Sequence, residues 1–375
     1  MSTTPEKRLL SLQVFNPTEY TLLQYIKYGR FGNYHYAKNL KKESKTYFFR
    51  IFKKSVLLEK NLTNKLLKEI ELYEKLSKSK FFPKILGIVT GDPKYLALVF
   101  DFIPGGKLKT LLNQKKKFSL EEVKFYLSNM ILILEYLHKN QIIFRDLKPS
   151  NLLIRENGYL TPLDITFAKQ IKNNKDLTYT LCGTPNYLAP EIILNKGYNY
   201  SVDFWSLGVI LFQMLVGRDP FYSSDPMLIY QNILINKIKF PKVMDRDAKT
   251  LINHLLVPEP SKRYGCLTNG INDIKNHRLF NDFPWKYVGD LAWEAPFKPV
   301  FAEKEIFSKY YDEEKSNVKL KEKCEQKKAE YEKIKAEDKA SQNLKKGTYL
   351  EGTENINSDE EAKELEETED PFLNW

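Results

Sequence analysis

The sequence predicts an α+β chain of two lobes, a small β-rich lobe with one main helix followed by a large helical lobe. Three observations lead there. Between Tyr25 and Asp101, short runs rich in aromatic and β-branched residues dominate, such as 46–52 and 95–102. From Leu120 onward, apolar residues recur mainly at helical spacing. Between these regions, Pro104-Gly105-Gly106 breaks both patterns as a hinge or turn.

Taken in order, residues 1–20 read as an N-terminal arm with helical tendency, and 21–102 as the small lobe. Its main helix is expected over 56–76, where Leu58, Leu62, Leu66 and Ile70 fall on one stripe. Residues 103–280 form the large lobe, with two loops of special composition at 145–151 and 164–191. Residues 281–314 read as an extended C-terminal tail. Residues 315–350 are a Lys/Glu-rich extension, helical by pairs such as Glu325–Lys328. Residues 351–375 are an acidic segment too poor in apolar residues to fold, closing on Pro371-Phe372-Leu373-Asn374-Trp375. There is no internal repeat.

Composition narrows the function classes. The hydrophobic fraction is 42%, enough for a sizeable core. The run 129–137 is interrupted by Glu135, so no membrane span is expected. Met1-Ser2-Thr3-Thr4 carries no apolar signal region and no glycine for myristoylation. Three widely spaced cysteines, Cys182, Cys266 and Cys324, make neither a disulfide framework nor a metal set, which fits a reducing, cytoplasmic compartment. The net charge is +11, while Lys363 is the only base within 351–370. The remainder is therefore more basic than the total, which suits acidic partners such as an acidic protein surface or a cytoskeletal assembly. A merely solvated, lysine-rich surface explains the same charge, and no specific nucleic-acid motif is present.

The motifs are more specific. Arg145-Asp146-Leu147-Lys148-Pro149-Ser150-Asn151 has the spacing of a phosphotransferase catalytic loop: Asp146 to take a hydroxyl proton, Lys148 to meet the transferred phosphate, Asn151 to hold magnesium. Leu163-Asp164-Ile165-Thr166 follows, then Gly183-Thr184-Pro185-Asn186-Tyr187-Leu188-Ala189-Pro190-Glu191, then Ser201-Val202-Asp203-Phe204-Trp205-Ser206-Leu207-Gly208, with Arg263 placed to pair with Glu191. In this order and spacing the chain resembles the eukaryotic protein kinases. Thr180-Leu181-Cys182-Gly183, Ala189-Pro190-Glu191-Ile192-Ile193-Leu194, 269–277 and Glu294-Ala295-Pro296-Phe297 resemble the catalytic domain of the cyclic-nucleotide-dependent kinases of the AGC group. The resemblance covers about 20–312 and resumes at the end, where Phe372 and Trp375 look like the group's hydrophobic motif that docks on the small lobe. It implies a two-lobed protein-kinase fold and regulation at Thr180, with Arg145 and Lys169 to neutralise a phosphate there.

The departures are concentrated. The phosphate-cradling loop retains Gly29 and Gly32 but has Lys27 at its first glycine, and Tyr34 stands where the family has the valine that roofs adenine. By register Arg50 takes the place of the essential lysine, with Glu69 its first-choice carboxylate and Glu71 the second. Phe48 replaces the small alanine beneath adenine and shares a face with Arg50 and Phe52. A register shifted by one residue would instead leave Lys53 or Lys38 as a displaced lysine. Asp164 survives as metal ligand, but Ile165 and Thr166 replace the aromatic and the glycine beside it. Lys107, Ser150, Asn186 and Gln213 stand at the acidic positions that read substrate arginines, while the apolar pocket of Leu181, Pro185 and Leu188 is kept. Thr184 is expected to prop Asp146, and Cys182, His138 and His277 to pack without chemistry.

Three functions follow. The first is a pseudokinase that binds protein partners within a larger assembly and needs no cofactor. The second is an active or weakly active Ser/Thr kinase that uses ATP and magnesium, with Asp146 as base and a non-basophilic preference. The third is a decoy for a kinase regulatory subunit.

Overall fold

The computed structural model describes residues 12–28, 31–41, 45–173 and 176–299. Gly29, the charged extension, the acidic segment, Phe372 and Trp375 lie outside these residues. The small lobe is a six-stranded sheet in the order β1-β5-β6-β4-β3-β2, built from β1 (Gln13–Val14), β2 (Tyr20–Tyr28), β3 (Asn33–Asn39), β4 (Thr46–Lys53), β5 (Ile85–Val89) and β6 (Tyr95–Phe100). The arm expected over 1–20 is thus part of the sheet in its described portion: β1 pairs parallel with β5. Phe15 explains why. It packs with Ala37, Phe49, Val89, Ala97 and Val99 into a small core on the sheet's outer face, so the apolar surface of the segment is buried rather than left in water.

The single helix expected over 56–76 is two helices, α1 (Lys54–Glu59) and α2 (Thr63–Leu76). Asn61 has φ 48°, a left-handed conformation that ends a helix and that asparagine tolerates. Leu66, Ile70 and Tyr73 of α2 are buried toward the sheet, as the stripe predicts, whereas Leu58 is exposed.

In β4 the pleat puts Phe48, Arg50 and Phe52 on the inner face and Phe49 on the outer one. β4 pairs with β3 and β6 in unbroken antiparallel register, Arg50 lying opposite both Tyr34 and Leu98. This pairing brings Arg50, rather than Lys53 or Lys38, against Glu69 of α2.

The large lobe is held around α4 (Leu120–Lys139), which follows α3 (Leu108–Lys115). Ser119 and Glu122 form a reciprocal capping box at the start of α4, satisfying two orphan donors of its first turn. Two small two-stranded antiparallel sheets follow: β7 (Ile142–Ile143) with β10 (Lys169–Gln170), and β8 (Leu152–Ile154) with β9 (Leu160–Pro162). After the short α5 (Pro190–Ile193) comes α6 (Ser201–Val216), apolar all round and buried along nearly its whole length, as a helix surrounded by protein must be. Gly217 ends it at φ 84°, with the carbonyl of Lys116 too close for any side chain. α7 (Pro226–Ile235), α8 (Arg246–Leu255) and a short helix at Asn272–Lys275 follow, and the described part of the tail carries one short helix, Trp285–Gly289.

Arg263 is fully buried. It grips Glu191 through two hydrogen bonds of 2.7 and 3.0 Å, donates to the carbonyls of Ser201 and Val257, and lies over the Trp205 ring. Arg263→Met removes one half of this pair and strands a buried carboxylate. Unfolding in denaturant is expected to show a loss of about 3–5 kcal/mol, most of it recovered when Glu191→Gln is added.

Candidate functional site between the lobes

Asp203, buried near the start of α6, shapes the loop that carries Asp146. Its two oxygens accept from the backbone N–H groups of Phe144 (2.9 Å) and Arg145 (2.8 Å), and one also faces His138 Nε2 at 2.8 Å. These bonds hold Arg145 at φ 66°, a left-handed conformation that costs a non-glycine residue free energy. His138 thus acts as a prop for Asp203.

Downstream, the Asp146 side chain meets three partners. Asn151 Nδ2 donates to Asp146 Oδ2 at 2.5 Å, Lys148 Nζ pairs with the same oxygen at 2.9 Å, and Thr184 Oγ1 donates to Oδ1 at 3.2 Å. Lys148 Nζ also reaches Thr184 Oγ1 at 2.5 Å. The four residues expected to form this cluster are therefore together, including Thr184 as prop.

Above them, the small lobe presents a filled slot. Tyr34 is 0% exposed, Phe48 2% and Arg50 0%. The rings of Tyr34 and Phe48 stack with centroids 5.5 Å apart, and Phe48 meets Tyr36 and Phe100 edge-on at 5.9 and 6.4 Å. Tyr36 donates its hydroxyl to the carbonyl of Ile103 at 2.7 Å, tying β3 to the interlobe connection. Tyr36 is absent from the sequence reading. Its position in β3, two residues beyond Tyr34 and therefore on the same face, is the signal that would have found it.

Arg50 pairs with Glu69 of α2, the first-choice carboxylate, and donates from its other terminal nitrogen to Thr166 Oγ1 at 2.6 Å. Its guanidinium lies 5.1 Å from the Tyr34 ring centroid and 4.7 Å from that of Phe52. Burial works against the charged guanidinium, but Glu69 together with Tyr34, Asp164 and Tyr73 outweighs it and holds Arg50 well above its ordinary pKa. Burial pushes the Glu69 carboxyl up, and Arg50 beside it pulls it back toward the ionised form. Tyr34 and Tyr73 are driven far above the usual phenol range by burial. The Tyr34 hydroxyl and Arg50 Nε have no hydrogen-bond partner among the described residues.

Asp164 Oδ1 accepts from the Thr166 N–H at 2.9 Å. Thr166 thus links two candidate site residues: its backbone holds Asp164 and its hydroxyl holds Arg50. A glycine there has no hydroxyl to offer.

Phe48 and Tyr34 cover the face of the sheet on which the sequence resemblance puts adenine. Arg50 is consumed by Glu69 and Thr166. The oxygen donors for magnesium, Asn151 and Asp164, are present and buried, but Asn151 turns its amide nitrogen to Asp146 and Asp164 is tied to Thr166. Gly32 approaches the Phe52 ring so closely that a Cβ would collide with it.

At the mouth of the large lobe, Asn186 Nδ2 donates to Asp219 Oδ2 at 2.6 Å, and Tyr187 donates to Gln213 Oε1 at 2.9 Å. Two of the positions expected to have lost acidic recognition are therefore engaged internally. Asp219, whose carboxyl burial pushes up, has no sequence signal of its own. Lys107 and Ser150 are partly buried. Leu181 is exposed while Leu188 is buried.

Thr180 is exposed, and its carbonyl accepts from the Tyr198 hydroxyl at 2.6 Å. The two cations expected to face it have other partners. Arg145 donates to the Phe167 carbonyl at 2.5 Å and reaches the Tyr198 hydroxyl at 3.4 Å, while Lys169 holds Thr178 Oγ1 at 2.9 Å. Cys182 is buried beside the same tyrosine, Sγ to Oη 3.6 Å.

Comparison with known proteins places this geometry. The protein kinase domain family matches residues 20–280. The cAMP-dependent protein kinase catalytic subunit of Dictyostelium discoideum is 45% identical over 225 residues, 60% of this chain and 34% of that protein. The cAMP-dependent protein kinase type 3 of Saccharomyces cerevisiae is 42% identical over 227 residues, 60% of this chain and 56% of its own length. A cGMP-dependent protein kinase of Drosophila melanogaster is 36% identical over 287 residues, 76% of this chain and 30% of that protein. The chain thus spans about a third to just over half the length of these relatives.

Arg50→Met is expected to leave Glu69 buried without its cation. Glu69 then takes up a proton in the folded state at a pH where the unfolded chain has lost it. Because its folded pKa is raised, stability is greatest on the acid side and falls as pH rises beyond the ordinary carboxylate range. Unfolding midpoints measured across pH should decline more steeply than in wild type, with a loss of about 3–5 kcal/mol near neutrality that Arg50→Met/Glu69→Met largely removes.

Proposed function

This chain belongs to the protein kinase domain family, and within it we propose that it is a catalytically impaired member of the cAMP-dependent kinase type that works by binding protein partners. The observation that carries this reading is the self-filled slot: Tyr34, Phe48 and Arg50 are sealed against one another where protein kinases take ATP with magnesium. Catalysis in this family is positioning and charge stabilisation, so a nucleotide without its slot and without a free cation to orient its phosphates loses both.

The same residues support a binding role. Arg50, Glu69 and Thr166 bridge β4, α2 and the large lobe, so side chains hold the small lobe to the large one. A fold held in one arrangement offers a preorganised docking surface. The partner class that suits the +11 net charge is a protein with an acidic surface, within a cytoskeletal or other cytoplasmic assembly. A kinase regulatory subunit is the narrower candidate, since one of the relatives named above is a cAMP-dependent protein kinase catalytic subunit.

A second reading, an active or weakly active Ser/Thr kinase with Asp146 as base, is favoured by one observation: Asp146, Lys148, Asn151 and Thr184 keep a connected geometry. It requires Phe48 and Tyr34 to leave the slot. On the same reading Thr180 is the regulatory threonine, and Arg145 and Lys169 must release their present partners to meet its phosphate.

Nucleotide titration separates the two. Wild-type protein is expected to show no thermal shift and no fluorescent-nucleotide binding at millimolar ATP with magnesium. Phe48→Ala is expected to cost about 3–5 kcal/mol through the cavity it leaves. Combined with Tyr34→Val and Arg50→Lys, it should gain a magnesium-dependent thermal shift, because the slot is opened and a compact cation restored. Magnesium-dependent binding by wild type, followed by phosphoryl transfer that Asp146→Asn abolishes, would replace the first reading with the second.

A further inference from the structure

A helix that is apolar on every side belongs inside a protein, yet α7 lies at the surface of the large lobe with one face in water. Its inner face is accounted for. Ile229 and Ile233 are buried, and the helix is in contact with α5 and with the turn at Pro185–Tyr187. Both ends are fixed as well. Asp225 caps the first turn, accepting from the Met227 N–H at 2.9 Å. Asn236 ends the helix in a left-handed conformation, and its amide donates to the carbonyl of Leu256 at 2.9 Å.

The outer face is the anomaly. Met227 is 65% exposed, Leu228 45%, Leu234 40% and Ile235 68%. At about 100° per residue these four fall on one stripe about 120° wide, with the exposed Gln231 at its centre and Ile229 and Ile233 on the opposite side. A contiguous apolar stripe of this kind on a surface helix marks a contact.

The stripe is its own complement. Turned end for end about Gln231, the helix superposes Met227 on Ile235, Leu228 on Leu234 and Asp225 on Lys237, because the members of each pair lie equally far from 231. In two copies packed antiparallel across a two-fold axis at Gln231, apolar side chains therefore meet apolar ones. The Asp225 carboxylate at the start of one helix meets the Lys237 ammonium just beyond the end of the other. Both groups are exposed, and neither sits in an ion pair among the described residues. Antiparallel packing also sets the positive end of each helix dipole beside the negative end of the other.

We propose that α7 is a self-association surface, through which two copies of this chain pair by antiparallel α7 helices about a two-fold axis at Gln231. Such an interface uses one patch twice and closes after two copies. A helix of ten residues buries less than the roughly 800 Å2 per partner of a standard stable interface, so the pairing is a reversible, micromolar association. It presents the basic folded part in two copies, which raises avidity for a partner that also repeats. α7 belongs to the large lobe and the filled slot to the small one, so pairing does not depend on whether that slot admits a nucleotide.

The test is sedimentation velocity of the full chain at physiological salt, over about 1–200 µM protein. Wild type is expected to pass from monomer to dimer as concentration rises and to stop at two copies. Leu228→Glu/Ile235→Glu should stay monomeric throughout, because it sets carboxylates in the apolar stripe of both helices. Both positions are exposed, so an unchanged melting curve verifies that this variant is folded. Lys237→Glu should weaken pairing about tenfold, since like charges then meet across the axis. Adding Asp225→Asn should recover most of that loss while keeping the helix cap, which asparagine supplies as well as aspartate does. Residues 225 and 237 lie at opposite ends of a helix about 15 Å long, so no contact within one copy explains such a recovery. A monomer at every concentration would overturn the pairing and leave the face to an unlike partner. A dimer that survives Leu228→Glu/Ile235→Glu, a loss from Lys237→Glu that Asp225→Asn does not relieve, or assemblies that grow past two copies would each overturn it too. The nucleotide titration can succeed or fail without altering any of these readings.

Discussion

A guanidinium taken out of water is among the costliest groups a protein can bury, and most of the small lobe is arranged around one. Arg50 is tolerable at 0% exposure only because Glu69 supplies a countercharge, Thr166 an acceptor, and Tyr34 and Phe52 aromatic faces over the remaining guanidinium surface. Each partner comes from a different element: α2, the segment after β9, β3 and β4 itself. A single buried charge thereby sets the position of α2 relative to the sheet and of the small lobe relative to the large one. Removing any partner leaves the others paying a desolvation penalty, so the group behaves as a unit.

The aromatic substitutions around it belong to the same arrangement. Phe48 and Tyr34 exclude water from the ion pair, which strengthens the attraction, and Tyr36 closes the end of the slot with a hydrogen bond to Ile103. Thr166 shows the coupling most directly. Its backbone serves Asp164 and its hydroxyl serves Arg50, so the change from glycine and the change from lysine support one another physically. By contrast, the cluster of Asp146, Lys148, Asn151 and Thr184 is separately held by Asp203 and by the buried pair of Glu191 and Arg263. Those residues brace the large lobe, which is reason enough for their presence whatever the chemistry above them.

Charge is distributed along this chain in blocks: a basic folded part and an acidic segment outside the described residues. Such asymmetry makes the folded part the side of the chain that attracts acidic partners. Salt sensitivity is therefore expected to be a property of this protein's contacts rather than of its fold, which rests on buried groups that salt reaches poorly.

The sequence by itself determined the two-lobed fold and the spacing of the loop at Asp146, and offered Arg50 first while leaving Lys53 or Lys38 open. All of these rest on short-range regularities: a two-residue pleat that puts Phe48, Arg50 and Phe52 on one face, and loop spacings tied to backbone geometry. It misplaced the helix over 56–76, because the left-handed turn at Asn61 breaks a stripe that continues on both sides of it. It read the first twenty residues as an arm, because two residues of parallel pairing with β5 leave no periodic trace. Only the tertiary structure decided that Thr166 reaches Arg50 across 116 residues, that Tyr36 seals the slot, that Arg145 and Lys169 face other acceptors than Thr180, and that Asn186 is taken by Asp219. These contacts join residues far apart in the chain. They depend on where whole elements come to rest, which is set by the packing of the core and by the need to pair each buried charge.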